Sequence, residues 1–471
     1  MFAPIVKRAK RLMTGEVTAA IADFAVAIGF DEIPSVVIDR AKIHILDTLG
    51  LVLAGSGSAA AKIAQAHIFE IGGAGGCSVF GTGHRAPARF AAFANAAAAH
   101  ADNFDDTTPQ LDPSRTGGIH ASGAMLPVAL ALAETKSARG KDILAAYLVG
   151  VEVSSRLNHA VDARHYADGF HTTGTLNVFG AACVAARMYR LDRGQIISAI
   201  GVAASRAGGV RRNFGSMAEI LHTAHAAEDG LVAAEMVSRG LTSAEDALDG
   251  PTGFLAAAAG AADADRIVDR LANPWVFENP GVWIKPHPNG ALTHPGAGCL
   301  LALLQDNDIR PADIERIGVR TNERVWKTLQ HHDPKDSMQA KFSMEFTLAV
   351  IALHRRAGLS DFTNEMLRRP DTVQMMRRVY YTAYETADAG FTNVTTFVDI
   401  RLSDGRTVSG RADHARGSTT DPMDFDDVAG KFRECAEFGG ADDSRIDRVV
   451  GLVSEFDILE DVKPLVSALS G

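Results

Sequence analysis

Cysteine, tryptophan and tyrosine are scarce in this sequence, and long apolar runs are missing. Its four cysteines, Cys77, Cys183, Cys299 and Cys435, are widely scattered and form no Cys-x-x-Cys pair. That spacing excludes a disulfide framework and a thiolate zinc site, and it fits a reducing compartment. Nowhere do eighteen apolar residues run without a charge or a strong polar break, so no membrane span is expected. The basic start, Met1 to Arg11, leads into no signal-peptide core with a small-residue cleavage site, so a cytoplasmic protein is expected. No GxGxxG follows a strand, and neither a GKS/GKT phosphate loop nor a GxSxG elbow occurs, which leaves nucleotide cofactors and serine-hydrolase chemistry unsupported. Positive charge is also short: 47 Lys and Arg face 57 Asp and Glu, a net charge of −10. Such a balance excludes a general binder of nucleic acid or of anionic membranes.

What is present is a chain of 471 residues, about three times the ~150 residues of a typical domain. Gly (44) and Ala are abundant, and 46% of the residues are apolar, enough for a large core. Ile21, Phe24, Ala25 and Ile28 mark one helix face, with Gly29 as a stop. Helical patterns recur at 36–54, 88–101, 124–134, 142–158, 174–188 and 193–204. The Gly-rich stretch 72–86 reads as loop with a short strand near 78–81, and 102–118 reads as loop. Helices this rich in small residues bury their stripes against one another, so residues 1–272 are expected to form a helical domain. After Pro274 the pattern changes. Ile314–Thr321 reads as a strand, and 393–412 reads as a hairpin turning at Asp404-Gly405. With helices at 294–305, 343–356 and 361–368, residues 273–412 suggest a smaller α/β domain. The tail, 413–471, returns to helical patterning and is expected to rejoin the first domain. The expected fold class is therefore mainly α with a smaller α/β domain.

Sixteen histidines carry the chemical signal, because imidazole titrates near neutrality. Asp105, Asp106, Thr107 and His120 fall around one loop leading to a helix N-terminus, where a carboxylate substrate is favoured. The alternative there is that the aspartates only cap the helix. Tyr166 and His171 flank a Gly turn before Thr172, Thr173 and Thr175, which suits proton transfer or, again, capping. Arg211 and Arg212, beside Asn213, match a carboxylate clamp or a solvated pair. His222 and His225 have a metal-compatible i, i+3 spacing but lack a HEXXH motif and a carboxylate partner, so no metal is expected. Lys285, His287 and His294 lie among prolines and glycines at the start of a helix.

These segments, in this order, resemble the MmgE/PrpD family: FANAAAAHADNFDD, HASGAMLPVALALAE, GFHTTGTLNVFGAA, NFGSMAEILHTAHAAEDG, IKPHP…THP, AKFSMEF and DPM. The resemblance runs nearly end to end. It implies a large helical domain with a smaller α/β domain, a homodimer, no metal or organic cofactor, and a di- or tricarboxylate substrate. By motif it implies that His120, His171, Lys285, His294 and Thr107 surround that substrate, and Tyr166 resembles a tyrosine of the epimerase members. Three positions depart from the family pattern. Asn103 stands for an Asp, Glu219 for a Lys, and Gly290 for a His of the decarboxylase members.

The reading of residues and resemblance together is a cofactor-independent lyase. It abstracts a proton α to a carboxylate of a hydroxy-polycarboxylate and expels water, as in 2-methylcitrate dehydratase. His171 and His120 are the expected acid/base pair and Lys285 with Arg211 or Arg212 the anion stabilisers. Asp105, Thr107 and Tyr166 are expected to orient, and Asn213, His222 and His294 to bind substrate. The first alternative is an epimerase or racemase of an imino- or amino-dicarboxylate, and the second is a non-catalytic polycarboxylate-binding homologue.

Overall fold

The computed structural model describes residues 15–112, 114–385 and 388–470; the basic stretch 1–11 lies outside the described residues. Two compact units divide the chain. The first holds the chain up to Ala101, Asp105–Trp283 and the tail from Asp424, and the second holds Asp102–Phe104 and Ile284–Met423.

Small residues at helix contacts shape the first unit. Its main elements are α1 (Glu16–Ala27), α2 (Ser35–Gly55), α3 (Ala59–Gly72), the antiparallel pair β1 (Cys77–Val79) and β2 (His84–Ala86), α4 (Ala88–His100), α5 (Ser122–Lys136), α6 (Gly140–Ala160), α7 (Thr172–Met188), α8 (Arg193–Ala204) and α9 (Ile220–Ser238). In the middle runs α7, buried on every side except Arg187 and packed against α6, α8, α9 and α5. A helix enclosed this way needs apolar or small residues all round, which Gly174, Gly180 and the alanines supply. A Cβ added at Gly180 would collide with the Gly150 carbonyl of α6, and one at Gly230 of α9 with the α7 backbone. Gly180→Ala would therefore push α6 and α7 apart, at a cost of roughly 1–3 kcal/mol for overpacking. The helices Phe425–Phe438, Asp443–Ser454 and Lys463–Ser470 of the tail close the unit, with Phe432 packed on Gly50 of α2 and Lys431 ion-paired to Asp47 at 2.6 Å.

The Gly-rich stretch after 72 is loop apart from β1 and β2, while two helices, α3 and α9, are additions to the sequence reading. Ser58 starts α3 by accepting the Ala61 amide at 3.2 Å. Between α4 and α5 the chain has no helix, yet 104–108 is buried. A buried loop must satisfy its own peptides. Thr108 accepts from Gly118 and donates to Ile119, and Thr107 exchanges backbone bonds with Trp283. Among the described residues no single helix is long and apolar enough to cross a membrane.

The second unit is a four-stranded sheet with helices α10 (His294–Asp306) and α11 (Met344–His354). Its strands are β3 (Ile314–Thr321), β4 (Val379–Ala383), β5 (Thr396–Leu402) and β6 (Thr407–Ala412), in the order β4-β3-β5-β6. β3 runs parallel to β4 and antiparallel to β5, and β5 and β6 form the hairpin turning at Gly405, whose φ is 91°. The alternation in β5 buries Val398, Ile400 and Leu402 in one core with Ile317 and Val319 of β3. Phe397, the exception in that alternation, carries the guanidinium of Arg320 at 5.2 Å. The whole is mainly α with a smaller α/β part.

Candidate active site

Two elements of the first unit bring histidines together. The loop between α4 and α5 carries Asp105, a buried carboxylate set between two imidazoles. His100, the last residue of α4, places Nδ1 2.6 Å from Asp105 Oδ2, and His120 places Nδ1 3.7 Å from Oδ1. His120 is held more directly by the Asp106 carbonyl, 2.5 Å from the same Nδ1. Because a carbonyl only accepts, Nδ1 of His120 carries a proton, and any proton exchange at this ring falls to Nε2. Asp106 itself turns away, taking the Ser122 amide at the start of α5 and the His44 ring. So the two adjacent aspartates divide the two readings of this loop: Asp106 serves the helix terminus and Asp105 serves imidazoles.

The second element is the entrance to α7. His171 stands one residue before the helix, its amide donating to Gly209 O, and its Nδ1 lies 2.8 Å from Nδ1 of His222 on α9. One ring nitrogen must donate and the other accept, so the pair shares one proton along that line. Burial pushes His171 well below the usual histidine range, helped by the neighbouring His100, His222 and His120 rings. Burial likewise pushes His222 down to about 4. Both rings are neutral at neutral pH. Ring centroids 5.3 Å apart for His100 and His120, and 6.2 Å for His100 and His171, join the two elements into one cluster.

The loop 205–219 packs beside it. Phe214 meets His171 edge-on at 4.6 Å, and Glu219, 9% exposed, accepts the Gly215 amide at 2.7 Å. Glu219 thus braces the turn that carries Phe214. Arg211 lies with its guanidinium 3.6 Å over the Tyr166 ring and donates to the Tyr166 carbonyl at 2.5 Å, whereas Arg212 is exposed. The two arginines do not form a joint clamp. Asn213 sits half-buried in the turn after them. His225 also parts from His222: its side chain is 57% exposed and faces Glu228 at 3.6 Å and the Phe93 ring. The i, i+3 pair therefore does not converge on one point. Thr107 is buried in the loop that carries Asp105. Tyr166 belongs to the single turn Ala163–Ala167, in which His165 is fixed by Ala258 O and by Thr175 Oγ1 at 2.7 Å.

In the second unit, Lys285 is buried and donates to Asn103 twice, to its carbonyl at 2.9 Å and to its side-chain oxygen at 2.6 Å. Asn103 has a φ of 53°, a left-handed conformation that Asn and Asp tolerate best. His294 opens α10 with Nε2 2.7 Å from Asn289 Oδ1. A second lysine, Lys341, pairs with Asp102 at 3.1 Å.

Two histidines escaped the sequence reading. His100 could have been found from its place five residues before Asp105, at the end of an Ala-rich helix. His44 lies in the middle of α2, where a lone histidine on an apolar face gives no signal. What the geometry defines is a helical protein whose buried imidazoles, some neutral and some joined to a carboxylate, are arranged to move protons.

The model of the MmgE/PrpD N-terminal domain matches residues 19–267, and that of the MmgE/PrpD C-terminal domain matches residues 287–455. Cis-aconitate decarboxylase of Mus musculus is 26% identical, covering 98% of this chain and 94% of its own length. The Homo sapiens enzyme of the same name is 28% identical over 92% and 90%, and that of Aspergillus terreus 24% over 96% of each. The chain belongs to the MmgE/PrpD family.

Proposed function

We propose that the histidine cluster of the first unit removes a proton from the carbon next to a carboxylate of a hydroxy-polycarboxylate and eliminates water, without a cofactor. The observation that carries this reading is the neutral His171–His222 pair. A base must arrive unprotonated, and burial keeps both rings in that form. A low basicity would by itself weaken the base, but a bound carboxylate offsets the burial by favouring imidazolium. His171 takes the Cα proton, and its Nδ1 contact with His222 spreads the charge it gains. His120 then donates from Nε2 to the departing β-hydroxyl. The C–H electrons form the C=C bond as the C–O bond breaks, and water leaves. Asp105 supplies the counter-charge for His120 when protonated, and Thr107 and Tyr166 orient the substrate. Lys285 and His294 are assigned to the substrate's carboxylates on the resemblance, as is a homodimeric state; Arg211, Arg212 and Asn213 are assigned there on their residue types, and a cytoplasmic location completes the reading.

A second reading, decarboxylation, is favoured by the relatives' activity. Against it stands Gly290, where decarboxylase members have a histidine; a Cβ there would approach Phe342 at 3.3 Å and Lys341 O at 3.4 Å. The deciding experiment incubates the protein with hydroxy- and amino-acid-derived di- and tricarboxylates in deuterated water and follows products by mass spectrometry. Net loss of water supports the hydro-lyase. Loss of carbon dioxide would establish decarboxylation instead, and deuterium incorporation with no loss would establish an epimerase. Neither turnover nor binding of any of these compounds would mean a non-catalytic homologue.

A further inference from the structure

Behind His120 lies a buried chain of hydrogen bonds whose order can be worked out. Tyr147 is fully buried and its hydroxyl is held protonated, burial raising it well above the usual tyrosine range. Its oxygen lies 2.6 Å from Ser122 Oγ, and Ser122 in turn bonds the Asp106 carboxylate through its hydroxyl and, at 3.3 Å, through its amide. Since Ser122 has one hydroxyl proton and gives it to Asp106, Tyr147 donates to Ser122. From the other side His44 brings Nδ1 to 3.0 Å from Asp106 Oδ2, its ring fixed edge-on against Phe277 at 4.9 Å. One helical turn further along α2, Asp47 faces the same network and is paired with Lys431.

Three donors thus fix the Asp106 side chain, and with it the peptide whose carbonyl holds His120. We infer that His44 is a positioning residue: acting through Asp106, it sets the carbonyl that keeps His120 in the tautomer with its proton on Nδ1. The consequence for the reaction rests on the acid role proposed above for His120; the consequence for the tautomer does not. His120 acts as an acid with protons on both ring nitrogens; the Nδ1 proton held by the Asp106 carbonyl is what aims Nε2–H at the leaving group, and a misplacement of about 1 Å lowers a rate on the order of a hundredfold.

The test uses the full chain with 15N-labelled histidine. His120 is assigned by comparison with His120→Gln, and its ring-nitrogen shifts are read in the wild type, His44→Leu and His44→Asn. The Asn amide nitrogen can take the place of Nδ1, so His44→Asn is expected to keep one tautomer and a kcat within about threefold of wild type. His44→Leu is expected to give a tautomer mixture and a kcat ten- to a hundredfold lower, with KM within about twofold. An unchanged tautomer in His44→Leu, or an Asn variant as impaired as the Leu variant, would overturn the inference. If His44→Leu fails to fold, His44→Ala is read in the same way, and an unchanged tautomer there would overturn it equally. Full activity of His120→Gln would sink the acid role, while the ring shifts would still decide the positioning role.

Discussion

Two pairs of histidines stand within a few ångströms of each other and face partners of opposite kind. In His171–His222 an imidazole faces an imidazole, and nothing nearby outweighs the loss of water, so both rings are pushed to the neutral form. Around Asp105 a buried carboxylate is set between His100 and His120, 2.6 and 3.7 Å away, where it can balance an imidazolium. One residue type therefore supplies a waiting base on one side and a ring with a counter-ion on the other. The dehydration proposed above would use both, because the carbon must lose a proton as the hydroxyl gains one.

The sharpest way to break this comparison is to remove each side separately. His171→Gln is expected to lower kcat about a thousandfold, within the ~10²–10⁴ range for a general base, and to stop deuterium exchange at the substrate carbon. His120→Gln is expected to lower water release by about a hundredfold while exchange continues. Both rates come from the same mass-spectrometric time course. The opposite pattern, with exchange lost in His120→Gln and kept in His171→Gln, would reverse the assignment.

Much of the scaffold for this comparison was legible from residue spacing, and the limits of that legibility are physical. The stripes of α1 and α2, the alternation of β5 and the turn at Asp404-Gly405 are local patterns, and each appears where its period places it. Strand β4 was not anticipated, because Val379–Ala383 is short and follows two arginines, and only its parallel pairing with β3 defines it. Helix α9 shows no narrow apolar stripe, because alanines, with Gly, Thr and His, make up most of its buried residues. His120 and His171 were singled out because loops rich in Gly and Thr open helices there. His100 and His44 were not, since what distinguishes them is contact with Asp105 and Asp106, brought together by the fold. Asp106 meets the N-terminus of α5, as the capping alternative expects.

Glu219 sharpens the comparison on the neutral side. It sits three residues before His222, in the turn that runs into α9, and its carboxylate is engaged by the Gly215 amide. A family lysine at this position would add two units of positive charge relative to Glu219, which favours a polyanion. Glu219→Lys is expected to lower KM for a tricarboxylate about tenfold, roughly 1.4 kcal/mol, with Glu219→Gln in between. Steady-state kinetics on di- and tricarboxylates of equal length measures it. An equal effect on both substrates would mean that the side chain only braces the loop and does not read charge.

The smallest expected effect concerns stability and extends the neutral class beyond the cluster. His159, near the end of α6, is pushed down to about 4, first by burial and then by the Arg156 charge, as His222 is by burial. A histidine that binds its proton near pH 6.5 when unfolded, but only near 4 when folded, favours the unfolded chain as pH falls through that window. Above pH 6.5 it contributes nothing, and between 6.5 and 4 each such ring removes about 1.4 kcal/mol per pH unit. His159→Leu avoids the acid penalty at the expense of a changed core contact, which is the same at every pH. Urea unfolding at pH 7.5 and pH 5 therefore separates the two. The variant's loss of stability between those pH values is expected to be about 2 kcal/mol smaller than that of the wild type. An equal loss would show that His159 takes up its proton in the folded state as readily as in the unfolded chain, and that burial alone does not make a neutral histidine in this protein.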